Sequence, residues 1–169
     1  MLEHVLVPLD GSQLAEEALE YARKIVDASG KLTLLTVVDV PDLPVYYYYP
    51  TPIATRDLDR SAVTDELVPQ ARDYLEKIAA NLSTENYKVD IEVQVGEAAG
   101  VITTRAEELG VDAISICTHG RSGIERWLFG SVTNKVLSTA TCPVFVIPGR
   151  RLAKQAKEEA TAKTTAPSQ

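Results

Sequence analysis

Hydrophobic positions along this chain fall into two kinds of run that take turns. Short, dense, largely β-branched runs occupy residues 4–9 (HVLVPL), 32–38 (LTLLTVV) and 111–117 (VDAISIC). Each has the length and composition of a strand buried on both faces. Between and after them apolar residues recur three and four positions apart, as a helix with one buried stripe requires. The first stripe is Leu14, Ala18, Ala22 and Ile25; the second is Ala71, Tyr74, Leu75, Ile78, Ala79 and Leu82, within a helical spacing over 58–82. The third is Ala98, Val101, Ile102, Ala106 and Leu109, and the last Val132, Val136, Leu137 and Ala140. Strand, helix, strand in that order implies right-handed crossovers and a parallel sheet.

Two further strands read differently. Val89, Ile91, Val93 and Val95 alternate with polar residues, the mark of a half-buried strand at a sheet edge. VFVI at 144–147 lies between Pro143 and Pro148, and because proline cannot donate to a ladder it is predicted to be a short or edge strand. Punctuation supports the division. Asp10-Gly11-Ser12 closes the first strand, Ser12 is placed to cap the first helix, and Glu16 and Glu17 suit the positive end of that helix. Gly30 is expected to stop the same helix, Gly96 to end the alternating strand, and Gly110 to form a helix exit. Pro69 predicts a break or kink in the second helix, since an interior proline costs about 3 kcal/mol.

Residues 39–56 fit no regular element. Four prolines surround Tyr46, Tyr47, Tyr48 and Tyr49, which suits a long surface loop draped partly over the core, or a lid beside the ligand end of the sheet. From 149 onward the chain is rich in Ala, Lys, Glu and Thr, so residues 1–149 are expected to form one domain and 150–169 a solvated tail.

Composition narrows the function. A formal net charge of −7 with a pI near 4.9 argues against a nucleic-acid partner, whose phosphates select clustered Lys and Arg. No basic segment leads into an apolar run at the N-terminus, and no run reaches the length a membrane span needs, so no membrane association and a cytoplasmic location are expected. Cys117 and Cys142 stand in neither redox nor metal spacing and read as buried thiols.

The chemistry concentrates at 111–133, VDAISICTHGRSGIERWLFGSVT. A buried strand ends near Cys117 and runs into a polar turn containing Gly120 and Gly123, where backbone amides can approach an anion closely. A second glycine, Gly130, with Ser131 opens a helix, whose first amides lack intrahelical partners and whose dipole is positive there. Two amide-rich turns converging on one anion point to phosphate. Gly120, Gly130, Ser131, Val132 and Thr133 form the phosphate set, the hydroxyls of Ser131 and Thr133 adding to the amides. Capping alone explains Ser131 but not a second glycine turn at this distance. His119 is read as a general base, a metal ligand or a turn residue, and Arg121 and Arg126 as phosphate partners or solvated cations.

From Cys117 the pattern is two residues, Gly120, nine residues, Gly130-Ser131, which resembles the Gly-x2-Gly-x9-Gly-Ser/Thr nucleotide loop of universal stress proteins with Cys117 in place of the first glycine. HVLVPLDGS at 4–12, VGEAAGVITTRAEELGVDAISI at 95–116 and TCPVFVIP at 141–148 resemble the same family in the same order, over about 2–148. The resemblance implies an open five-stranded parallel α/β sheet with helices on both faces, Rossmann-like and similar to the adenine nucleotide alpha-hydrolase fold, in strand order 3-2-1-4-5. It implies ATP as ligand, with Mg or Mn bridging its phosphates, and Pro8, Leu9 and Asp10 as one wall of the base pocket. Val38 matches the position whose main chain meets adenine. It also implies a homodimer through the 143–148 edge strand, acting as a regulator or sensor in stress response. By its residues alone Asp10 is also readable as a turn former beside Gly11, and the resemblance shifts the balance to binding. The alternatives are a dimeric interaction module that binds no nucleotide and a slow ATP hydrolase. For the latter no P-loop lysine, Walker-type Ser/Thr or water-positioning base is evident.

Overall fold

The computed structural model of the chain describes residues 1–39, 60–82, 86–118 and 130–148. Nine elements follow one another within these residues: β1 (Leu2–Pro8), α1 (Gln13–Ile25), β2 (Val26–Val38), α2 (Arg60–Leu82), β3 (Lys88–Val95), α3 (Ala98–Glu108), β4 (Ala113–Cys117), α4 (Ser131–Thr139) and β5 (Val144–Ile147). The strands form one sheet in the order β3-β2-β1-β4-β5, and every pairing is parallel. The expected α/β class and strand order are both present.

Alternation along β1 explains why helices cover both faces. Val5 and Val7 point to one side with Leu32 and Leu34, under α1 and α2, while Leu6 points to the other with Leu35, Ile114 and Ile116, under α3 and α4. Val5, Leu6 and Val7 are fully buried, and each such side chain is worth about 1.5–3 kcal/mol of transfer free energy. Ser115 donates to Ala18 O at 2.9 Å and fastens α1 across β4. The edge strand β3 is held from the other face, where Arg105 on α3 meets Glu92 with two bonds of 2.9 and 2.8 Å and also pairs with Glu108. These carboxylates raise the guanidinium pKa above its ordinary value.

Several local expectations are met. Ser12 accepts the Ala15 amide and caps α1, Gly110 takes φ +59° after α3, and β3 and β5 are the two terminal strands. Others are corrected. Gly30 does not stop α1, which ends at Ile25 with Val26 already extended. Gly30 lies inside β2, where the pairing slips between Leu2↔Val26 and His4↔Lys31, and a Cβ there would sit 2.8 Å from Glu3 O. Its role is close backbone approach. Of the break or kink expected at Pro69 the break is absent, since α2 runs on to Leu82. The proline forfeits one backbone bond, but burial of Leu75 and Leu82 downstream keeps the helix on the sheet. Leu137, counted with the inward stripe of α4, is 40% exposed, and Cys142 is only partly buried, enough to push its thiol pKa up. The 39–56 loop beyond Asp39 and the 150–169 tail lie outside the described residues.

Candidate nucleotide site

The chain leaves β1 toward β2 and β4 toward β5, so their C-terminal ends diverge although the strands are neighbours. Open α/β sheets hold ligands at such a switch point. A cavity of about 300 Å³ lies there, at the lower end of the range of small-molecule sites. Eight of the residues singled out by sequence line it together: Pro8, Leu9 and Asp10 after β1, Cys117 at the end of β4, and Gly130, Ser131, Val132 and Thr133 at the start of α4.

Each wall has a local cause. Leu9 donates its amide to Leu35 O at 2.8 Å and accepts the Thr36 hydroxyl at 3.0 Å, so the chain beyond Pro8 stays tied to β2. Asp10 then turns back, its Oδ1 accepting the Ser12 amide at 3.0 Å and the Ser12 hydroxyl at 2.6 Å. The turn-forming reading of Asp10 is therefore real, and it leaves Oδ2 without a partner among the described residues. On the other side Gly130 donates to Thr118 O at 2.8 Å and Thr118 donates to Ile147 O at 3.0 Å, which places the start of α4 against the ends of β4 and β5.

Gly130 is the N-cap, contributes no side-chain cap, and accepts the Asn134 amide at 2.9 Å. The amides of Ser131, Val132 and Thr133 precede that first helical bond and have no partner among the described residues. Three donors at the positive end of a helix dipole thus edge the cavity. Thr133 differs from its expected role. It is 3% exposed and its hydroxyl donates to Cys117 O at 2.9 Å, so that proton ties helix to strand.

Sequence reasoning missed the apolar wall. Ala15, Leu35, Val37, Ala98, Ile102 and Ile116 also line the cavity. By sequence alone they read as core, because a residue at the end of an inward stripe carries the same local pattern as one inside it. Val38 is not among the lining residues; the strand pleat turns Val37 to this face instead, and Val38 O accepts the Gly96 amide at 3.1 Å. Cys117 is 6% exposed and belongs to the cluster under α1 with Leu9 and Ala15. His119, Gly120 and Arg121 lie outside the described residues, as do Gly123 and residues 125–129.

No helix among the described residues is long and apolar enough to cross a membrane. Comparison with known proteins gives a consistent result. The chain is 27% identical over 154 residues to universal stress protein MJ0577 of Methanocaldococcus jannaschii, covering 87% of this chain and 95% of that protein. The solved structure of MJ0577 superposes with a TM-score of 0.73 over 86% of this chain and 95% of that one. The universal stress protein UspA of Lactobacillus plantarum gives a TM-score of 0.68 at 28% identity, over 85% and 96%. A universal stress protein solved in complex with cAMP, at 21% identity and a TM-score of 0.62 over 88% and 98%, shares the fold. So does an Arabidopsis thaliana family member with AMP bound, at 16% and 0.59 over 86% and 90%. The sequence model of the universal stress protein family matches residues 1–148, a span that contains every strand and helix described above, and the chain belongs to that family.

Proposed function

We propose that this protein binds ATP in the β1–β4 crevice and acts as a cytoplasmic, homodimeric regulator or sensor in stress response. The observation that carries the reading is the set of three unpartnered amides of Ser131, Val132 and Thr133 at the edge of a cavity with one apolar wall. In this reading the adenine lies among Leu9, Val37 and Ile102, and the free Oδ2 of Asp10 accepts a ribose hydroxyl. Val38 O keeps a second lone pair for the base. The phosphates take the α4 amides and the Ser131 hydroxyl, with His119, Gly120 and Arg121 completing the turn. Cys117 contributes its backbone at the strand end. Mg or Mn enters with the nucleotide and offsets charge by bridging its phosphates. That relatives of the same fold hold cAMP and AMP supports an adenine nucleotide as the ligand class.

The dimer of this reading forms through 143–148. β5 ends the sheet, and Phe145 is 40% exposed beside partly buried Val144 and Val146. An apolar terminal strand is stabilised by pairing with its own copy. In this reading the site binds the nucleotide, and turnover is not required of it.

The test begins with mass spectrometry of denatured, freshly purified protein for released nucleotide, followed by ATP titration calorimetry on the Gly130→Val variant. A Cβ at Gly130 would approach Thr118 O to 3.2 Å, and valine adds branches that displace the start of α4. ATP affinity is expected to fall at least tenfold with the fold intact. A folded Gly130→Val protein with wild-type affinity, or a wild type that binds no ATP, refutes the reading and favours the interaction module.

A further inference from the structure

Two helices wall the crevice from one face of the sheet, α3 through Ala98 and Ile102 and α4 through Ser131 and Val132. An ion pair joins the two helices: Lys135 Nζ donates to Glu97 Oε2 at 2.9 Å. Glu97 is itself held. As N-cap of α3 it accepts the Ala99 amide through Oε1 at 3.3 Å and the Gly100 amide through Oε2 at 2.9 Å. Gly100 has no side chain to crowd this seat, where a Cβ would come to 3.0 Å from Oε2. The carboxylate is therefore fixed on α3, and the flexible partner is the lysine. Side chains on a helix lean toward its N-terminus, and Lys135 lies one turn beyond the open amides of α4.

Neither charge is among the cavity-lining residues, and both side chains are 56% exposed. A pair so placed adds little to global stability and is screened by salt. Its consequence is positional, because it joins the N-cap of α3 to the second turn of α4, next to the turn that carries the open amides.

We propose that Glu97 and Lys135 form a clasp that holds the start of α4 against the start of α3, and so positions the amides that take the nucleotide's phosphate. Both are positioning residues, and the affinity of the site responds to ionic strength through a contact the ligand does not make. The proposal rests on the nucleotide-binding reading above. Its rival is that Lys135 is itself a phosphate donor restrained by Glu97, and the two differ in sign. Under the clasp, removing either charge weakens binding. Under the rival, freeing the lysine strengthens it.

The experiment measures the ATP dissociation constant for wild type, Glu97→Gln, Lys135→Met and the double variant, at low and high ionic strength. Glutamine keeps one oxygen for the α3 amides, so one of the two cap bonds survives while the charge is lost. Each single variant is expected to raise the constant roughly threefold, the scale of an exposed pair, with the double variant no worse than either and its salt dependence shallower than wild type. Lys31→Met, which breaks the Lys31–Asp90 pair between β2 and β3 far from the crevice, is expected to bind as wild type. Tighter binding by Glu97→Gln, additive losses, or an unchanged Lys135→Met constant overturns the clasp. Hydrogen exchange on ligand-free protein gives an independent arm: Lys135→Met should speed exchange of the hydrogen-bonded amides of α4 from Asn134 onward, and unchanged exchange there also overturns the clasp. A wild type that binds no ATP refutes the nucleotide reading and leaves the exchange result to decide the clasp alone.

Discussion

Replacing Thr133 with valine tests how the start of α4 is built. The exchange keeps the shape of the side chain and substitutes a methyl for the hydroxyl that donates to Cys117 O at 2.9 Å. Thr133 is 3% and Cys117 6% exposed, so water cannot readily take the place of the lost donor. A typical hydrogen bond contributes about 1 kcal/mol net, and weakening the satisfaction of a buried acceptor raises the cost to about 2 kcal/mol. For a domain of this size that lowers Tm by roughly 4–8 °C. Calorimetry of the ligand-free protein is the assay, with Thr133→Ser as the control that restores the hydroxyl and recovers most of the loss. Because the bond anchors the helix start, ATP affinity should fall along with stability. A Thr133→Val protein that melts like wild type without ligand yet binds ATP poorly would show that the hydroxyl serves the phosphate directly, and would refute the argument.

Phe145→Lys places a charge on the exposed face of β5 without entering the core, and light scattering is expected to give a dimeric wild type and a monomeric variant; a wild-type monomer, or a variant that stays dimeric, means this strand is not the interface. Gly30→Val forces a side chain against Glu3 O, 2.8 Å from the nearest possible Cβ, and urea unfolding should report a loss of about 1–3 kcal/mol, whereas no loss would mean that the β1–β2 approach relaxes freely. His4 is held below its ordinary pKa of 6.5 by burial, with Lys31 adding to the effect. The folded state therefore resists a proton that the unfolded chain accepts, so this contribution to stability is present above pH 6.5 and shrinks as pH falls toward the folded pKa. His4→Gln should flatten Tm between neutral and mildly acidic pH, and an unchanged slope would assign the dependence to other groups.

The element types were written in local pattern. A period of two or a dense β-branched run marks a strand, and spacings of three and four mark a helix, because side-chain direction repeats with those periods whatever the rest of the chain does. The convergence of Gly130 and Ser131 on a helix start was equally local, since capping depends on a few consecutive residues. Where the pattern failed, a distant contact had intervened. Gly30 reads as a helix stop until Glu3, far away in sequence, is laid against it, and Pro69 reads as a break until the burial of Leu75 is counted. The site shows the same division. Its polar rim of Asp10 and Ser131 was legible, but its apolar wall of Val37, Ala98 and Ile102 was not, because only the sheet order brings β2 and α3 to the crevice between β1 and β4. The destination of the Thr133 hydroxyl and the meeting of Glu97 with Lys135 belong to the same class: each joins residues that periodicity treats as independent, and strand pairing and helix docking make them neighbours.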